Sequence, residues 1–209
     1  MSLHINQIAP NFSQKSTIGE INLYEYLGDK WGVLFSHPKD FTPVCTTELA
    51  EVAKLKDEWS KRNTKVIALS VDNLDSHKKW LNDIEQYATF PVSYPIIADE
   101  DKKVSFQYDM LHPEADDTFT VRSVYFIDPS KKIRLILTYP AQVGRNFNEI
   151  IRILDALQKV DNDKVATPVN WNKGEPSIIP ATIKDTNIIW QQYGENVQHI
   201  YDYLRFTSK

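Results

Sequence analysis

The chain has 209 residues, 42% hydrophobic and 25% charged, which is enough apolar mass to bury a core without disulfide or metal staples. Its net charge of -4, with basic residues scattered among acidic ones, argues against a nucleic-acid-binding stripe. No stretch approaches the roughly 18 apolar residues of a membrane span, and the opening MSLHINQIAPNF lacks the pattern of a secretory leader. The single cysteine can form no disulfide within the chain, so a soluble protein of a reducing compartment, the cytoplasm, is expected, with neither nucleic acid nor membrane as partner.

From about residue 30 to 160, apolar β-rich runs alternate with amphipathic segments, the order expected of an α/β domain. The runs are WGVLFS, KVIALSV, PIIAD and VRSVYFI. Apolar groups at Cys45, Leu49, Val52, Leu55 and Trp59 fall at helical spacing and predict one helix from about 43 to 62. A second helix is predicted from Leu74 to Tyr87. VRSVYFI and IRLILTY flank DPSKK, whose Asp, Pro and Ser favour a turn, and together they read as an antiparallel hairpin. Asn146 followed by Glu149 is a capping signature for a helix whose stripe is Phe147, Ile150, Ile151, Leu154 and Leu157. After Val160, three prolines in VATPVNWNKGEPSIIP interrupt any long element. Two domains are therefore expected, 1–160 and 161–209, and the closing HIYDYLRFTSK reads as a strand, with a short helix as the alternative.

The segment with chemistry in it is SHPKDFTPVCTTEL, Ser36 to Leu49, which follows a buried strand and opens a helix. Pro43 suits a first helical turn and Thr42 suits the N-cap before it. Cys45 then lies inside the first turn, where unpaired N–H groups and the helix dipole favour a thiolate over a thiol of ordinary pKa about 8.5. On spacing alone, a free cysteine on an apolar stripe is equally a small buried hydrophobe. The strand-loop-helix setting and the Thr42 hydroxyl three residues upstream tilt the balance toward chemistry.

Pro38, Thr42 and Cys45 stand in a P-x-x-x-T-x-x-C arrangement that resembles the active-site loop of the peroxiredoxins. SHPKDFTPVCTTEL as a whole is similar to the one-cysteine, peroxiredoxin-six subfamily of the AhpC/TSA family. VRSVYFIDPSKK, YPAQVGRNFNEI and VATPVNWNKG resemble further segments in order, so the likeness spans nearly the whole chain.

The resemblance implies a thioredoxin-like core, with a central mixed β-sheet flanked by helices, and a small C-terminal domain that takes part in homodimer contacts. It implies that Cys45 is the peroxidatic cysteine, Thr42 the hydroxyl that holds the peroxide and Arg122 the active-site arginine. Pro38 shields the site, Glu48 orients the arginine, Arg145 is a second arginine and His37 flanks the sulfur. Taken singly, Arg122 would read as a strand-end charge, Glu48 as a helix-dipole partner and Arg145 as a solvated charge. His4, His77, His112 and His199 show no ligand spacing and read as surface or packing residues, so neither a metal nor another cofactor is expected.

The implied reaction is reduction of hydrogen peroxide and organic hydroperoxides through a Cys45 sulfenic acid. With no second cysteine, an external reductant is needed, and glutathione, thioredoxin, glutaredoxin and ascorbate all remain open. A redox sensor or chaperone using oxidised Cys45 at low flux is the rival reading. Some subfamily members also hydrolyse lipids through a serine, histidine and aspartate, but here Lys30, Tyr24 and Ser130 occupy those places, so that activity is not expected. The segment between Asp109 and Val121 reads as a shortened loop. The aromatic tail, with Trp171, Trp190, Tyr193, Tyr201, Tyr203 and Phe206, calls for packing either within the chain or against a partner.

Overall fold

The computed structural model describes residues 3–112 and 119–208; most of the shortened loop expected between Asp109 and Val121 lies outside them. The chain divides into two compact units, Met1–Phe147 and Asn148–Lys209. The boundary expected near 160 is therefore not where compactness divides the chain: the long helix Phe147–Asp163 groups almost wholly with the C-terminal unit.

In the first unit, strands β1 (Ser13–Ser16) and β2 (Gly19–Asn22) form a hairpin ahead of the short helix α1 (Leu23–Leu27). The chain continues through β3 (Trp31–Ser36), α2 (Pro43–Lys54), α3 (Lys56–Lys61), β4 (Thr64–Ser70) and α4 (Leu74–Ala88). Next come β5 (Ile96–Ala98), α5 (Lys103–Gln107), β6 (Arg122–Ile127) and β7 (Ile133–Tyr139). The seven strands form one sheet in the order β2-β1-β5-β4-β3-β6-β7. β3, β4 and β5 run parallel, whereas β6 is antiparallel to β3 and β7 to β6.

The four apolar runs form the central strands, and β3 and β6 are buried at every position, as expected for strands covered on both faces. Leu34, Ile67, Leu69 and Ile97 project into a core with Leu23, Leu27, Tyr108, Met110 and Tyr125. One reading needs correction in this unit. The helix expected over 43–62 is interrupted at Leu55, whose backbone closes α2 and opens α3, although the apolar stripe continues to the buried Trp59. The N-terminal hairpin and α1 carried too little apolar periodicity to be read.

The second unit holds α6 (Phe147–Asp163), β8 (Ser177–Ile178), α7 (Thr186–Tyr193), β9 (Val197–Tyr201) and β10 (Leu204–Thr207). Its three strands pair in the order β8-β10-β9. The tail expected as one strand is a hairpin, because Asp202 and Tyr203 turn the chain back on itself. Trp171 and Tyr193 of this unit are buried, Tyr193 against Val165, Ile179 and Ile189.

The topology puts the loop after β3 at the carboxyl ends of parallel strands, where α/β sheets present their sites. Because β6 runs antiparallel to β3, Phe35 pairing with Val124, the start of β6 also lies there. Ser36 clasps the two ends: its hydroxyl donates to the Val121 carbonyl (2.5 Å) and accepts from the Ser123 N–H (3.1 Å). Leu69 of β4 has no exposed surface, so Leu69→Ala should cost about 2–5 kcal/mol of stability. A lowered denaturation midpoint with an unchanged denaturant slope is the expected result.

Candidate active site

Residues His37 to Thr42 carry the chain from β3 into α2. Thr42 occupies the N-cap position with extended backbone (φ -118°, ψ 146°) and Pro43 the first helical position, so the helix starts where the sequence requires. The Thr42 hydroxyl, however, bonds no helix N–H; it donates to the Lys39 carbonyl (2.8 Å). With its proton engaged there, Thr42 Oγ1 presents lone pairs as an acceptor. Just before it, Phe41 has a positive φ of 54°, a backbone conformation uncommon for a large residue and frequent near functional sites. Pro38 is half-buried beside the buried His37.

Cys45 is the third residue of α2. The first helical hydrogen bond runs from Thr46 N–H to the Thr42 carbonyl (3.0 Å), so the Val44 and Cys45 amides precede it and belong to the donor end of the helix. The sulfur has no exposed surface, but its surroundings are not hydrocarbon alone. Arg122 Nη1 lies 3.3 Å from Sγ and also donates to Glu48 Oε2 (2.6 Å). Its Nε and Nη2 both donate to the Ala141 carbonyl (2.9 and 2.7 Å).

Glu48, one helical turn beyond Cys45, shares its face of α2. It joins the two arginines. Arg145 reaches Oε1 through Nε (3.0 Å) and its backbone N–H (2.7 Å), and Oε2 through Nη2 (2.7 Å). Arg145 Nη1 donates to the carbonyls of Ser36 and Ser123 (2.8 and 3.1 Å), and its guanidinium stacks 4.8 Å from the Phe35 ring. Burial alone would push the Glu48 carboxyl up, but Arg145, with Arg122 behind it, holds it below its ordinary range. Two buried guanidinium groups thus face one carboxylate, leaving one positive charge, and Sγ is positioned to receive it.

The residues singled out in sequence converge as follows. Cys45, Glu48, Arg122 and Arg145 form one bonded cluster, with Thr42, Pro38 and His37 on the adjoining loop. Arg122 and Arg145, which read singly as strand-end and solvated charges, are only 2% and 7% exposed. Tyr24 and Ser130 are engaged elsewhere: Tyr24 donates to the Ala9 carbonyl (2.6 Å) and Ser130 to Asp128 (2.7 Å).

Two residues were missed, Asp40 and His77. Asp40 binds both His37 and His77 (2.9 and 2.7 Å), and ligand-type atoms of the three lie within 4.8 Å of one another. The signal was legible, since His77, Trp80, Ile84 and Ala88 make the buried stripe of α4, and a histidine on such a stripe needs polar partners.

Because the folded Glu48 carboxyl lies below its ordinary value of 4.5, its contribution to stability is full above that value and is lost as pH falls through the lower folded one. Glu48→Gln should remove this dependence and, by leaving two buried guanidinium groups unbalanced, destabilise the protein by about 3–5 kcal/mol near neutral pH. Thermal midpoints of both proteins across the acid range check this: the wild-type midpoint should fall more steeply.

Residues 5–136 match the AhpC/TSA family and residues 156–193 the C-terminal domain of 1-Cys peroxiredoxin. The chain is 53% identical to a 1-Cys peroxiredoxin of Dictyostelium discoideum, covering 99% of this chain and 86% of that protein. It also resembles a solved yeast mitochondrial 1-Cys peroxiredoxin, with TM-score 0.93 and 50% identity over 99% of this chain and 100% of that one. The peroxiredoxin 6 of Arenicola marina superposes with TM-score 0.93 at 38% identity, covering 99% and 98% of the two chains. With its only cysteine placed at the head of a helix beside a buried arginine pair, the chain belongs to the AhpC/TSA family as a one-cysteine peroxiredoxin, a thiol peroxidase.

Proposed function

We propose that Cys45 attacks the terminal oxygen of hydrogen peroxide or an organic hydroperoxide. The S–O bond forms as the O–O bond breaks; the departing oxygen takes a proton and leaves as water or an alcohol, and Cys45 becomes a sulfenic acid. The observation that carries this reading is the 3.3 Å contact between Arg122 Nη1 and Sγ in a site with one excess positive charge. That charge supports an anionic sulfur before attack and the oxygen on which charge gathers during it. Arg122 and the donor end of α2 are the donors to the peroxide, whereas Thr42, its own proton held by Lys39, is the acceptor that orients a peroxide O–H. Pro38 and His37 complete the loop around the substrate, and Glu48 and Arg145 hold Arg122 in place.

A thiol from outside the chain resolves the product: its sulfur displaces the sulfenic oxygen as water, and a second thiol releases Cys45. The solved yeast relative is described as resolved through glutathione and thioredoxin systems, which favours those two reductants here over glutaredoxin or ascorbate. A free cysteine at the working position favours a reducing compartment such as the cytoplasm, and no helix among the described residues is long and apolar enough to cross a membrane. Trp190, Tyr201 and Tyr203 of the C-terminal unit are each more than half exposed, a costly surface for a monomer, and we assign them to contacts in a homodimer.

Cys45→Ser should abolish peroxide turnover, and stopped-flow mixing should oxidise the wild-type sulfur within seconds at micromolar peroxide. Oxidation only over minutes would fit a sensor and overturn the high-flux peroxidase. Under excess peroxide without reductant, mass spectrometry should find two oxygens added to Cys45. Sedimentation should give a dimer that Trp190→Asp weakens, and a monomeric wild type would overturn the dimer assignment.

A further inference from the structure

Beside the loop that leads to Cys45, a buried polar cluster joins His37 to Asp40 and His77, two residues with no part in the steps above. The Asp40 carboxylate accepts three hydrogen bonds: from His37 Nε2 on Oδ1 (2.9 Å), and from His77 Nδ1 and Ser76 Oγ on Oδ2 (2.7 and 2.8 Å). Its own N–H donates to Asp72 Oδ2 (3.0 Å), which also accepts the Ser70 hydroxyl (2.8 Å). His37 and His77 have no exposed surface, and Asp40 has almost none.

A donor count fixes where the protons are. Burial alone would raise the Asp40 carboxyl, but the two histidines outweigh it and hold it well below the carboxylate range, so Asp40 is an anion. His77 Nδ1 faces that anion, while its Nε2 faces the Ile97 carbonyl at 3.1 Å. Both partners only accept, so both ring nitrogens donate and His77 is an imidazolium. His37 differs. Its Nε2 donates to Asp40, and burial, opposed by Asp40, lowers its pKa, so the ring is neutral and Nδ1 carries a bare lone pair. Among the described residues that buried atom has no hydrogen-bond partner, although buried imidazole nitrogens are normally satisfied.

The cluster also grips the site. His37 packs on Trp80 with ring centroids 5.3 Å apart, and Trp80 Nε1 donates to the hydroxyl of Thr46 (3.2 Å), the neighbour of Cys45. Helix α4 thus holds the loop at Asp40 through Ser76 and His77, and the head of α2 at Thr46 through Trp80.

We propose that Asp40 and His77 are positioning residues for the peroxidase reaction: the His77 imidazolium fixes Asp40, Asp40 keeps the His37 proton on Nε2, and the His37 Nδ1 lone pair is thereby held open as an acceptor for an O–H or S–H donor arriving at the loop. The arrangement is a base oriented by a carboxylate, with a second histidine neutralising the carboxylate from behind. The inference rests on the peroxidase reading of Cys45.

The test uses the full-length reduced protein, uniformly labelled with nitrogen-15. Long-range proton–nitrogen spectra of the imidazoles at neutral pH should show His77 with both nitrogens protonated and His37 with a proton on Nε2 only. Asp40→Asn, which offers an amide donor in place of an acceptor, should move the His37 proton to Nδ1. It should also slow Cys45 oxidation by hydrogen peroxide at least about tenfold, and His77→Gln should slow it in the same direction. A neutral His77 or an Nδ1-protonated His37 in the wild-type spectrum would overturn the proposal without recourse to any variant. So would an Asp40→Asn protein whose tautomer switches while Cys45 is oxidised at the wild-type rate. A wild-type Cys45 that peroxide fails to oxidise would sink the peroxidase reading instead, leaving the histidine signals to be judged on their own.

Discussion

The site depends on an imbalance of charge: Glu48 is shared by two buried arginines and can neutralise only one of them. A buried ion pair of equal numbers would be self-contained and indifferent to a neighbouring thiol. Here the second guanidinium remains short of a partner, and its Nη1 is bonded to both Glu48 and Sγ. Electrostatics in a site this dry are strong, so the unmatched charge of Arg122 falls on the sulfur beside it. In the proposed displacement the same fixed cation serves twice, at the sulfur before attack and at the oxygen that leaves.

Holding that imbalance requires distant parts of the chain. Cys45 and Glu48 come from one face of α2, Arg122 from the first position of β6, and Arg145 from the segment after β7. The antiparallel register of β6 against β3 brings Arg122 beside the loop, and Ser36 closes that junction with two hydrogen bonds. On the other side, α4 grips the loop through Asp40. The loop between these holds carries the left-handed Phe41, a conformation that persists only where surrounding contacts determine it.

Much of this was legible beforehand. The four β-rich runs, the helix from Leu74 and the hairpin around DPSKK follow from periodicity and turn chemistry, and those elements form where expected. Pro43 after Thr42 marked the start of the key helix, but a cap position does not dictate a cap bond, and the Thr42 hydroxyl turns to Lys39 instead. The break at Leu55 was hidden because the apolar stripe runs through it unaltered. The burial of Arg122 and Arg145 could not come from their own neighbourhoods in sequence; it depends on pairing across some 75 to 100 positions. Asp40 was in plain view within SHPKDF, yet its role needs a histidine from α4, and only the fold supplies it.

The Ala141 carbonyl accepts two of the bonds that aim Arg122, while the Ala141 side chain is exposed. A carbonyl has no side-chain identity, so what this stretch must conserve is its route and not its residues. Between Tyr139 and Arg145, many amino acids should be interchangeable in evolution, whereas gaining or losing a single one would swing the arginine off the sulfur.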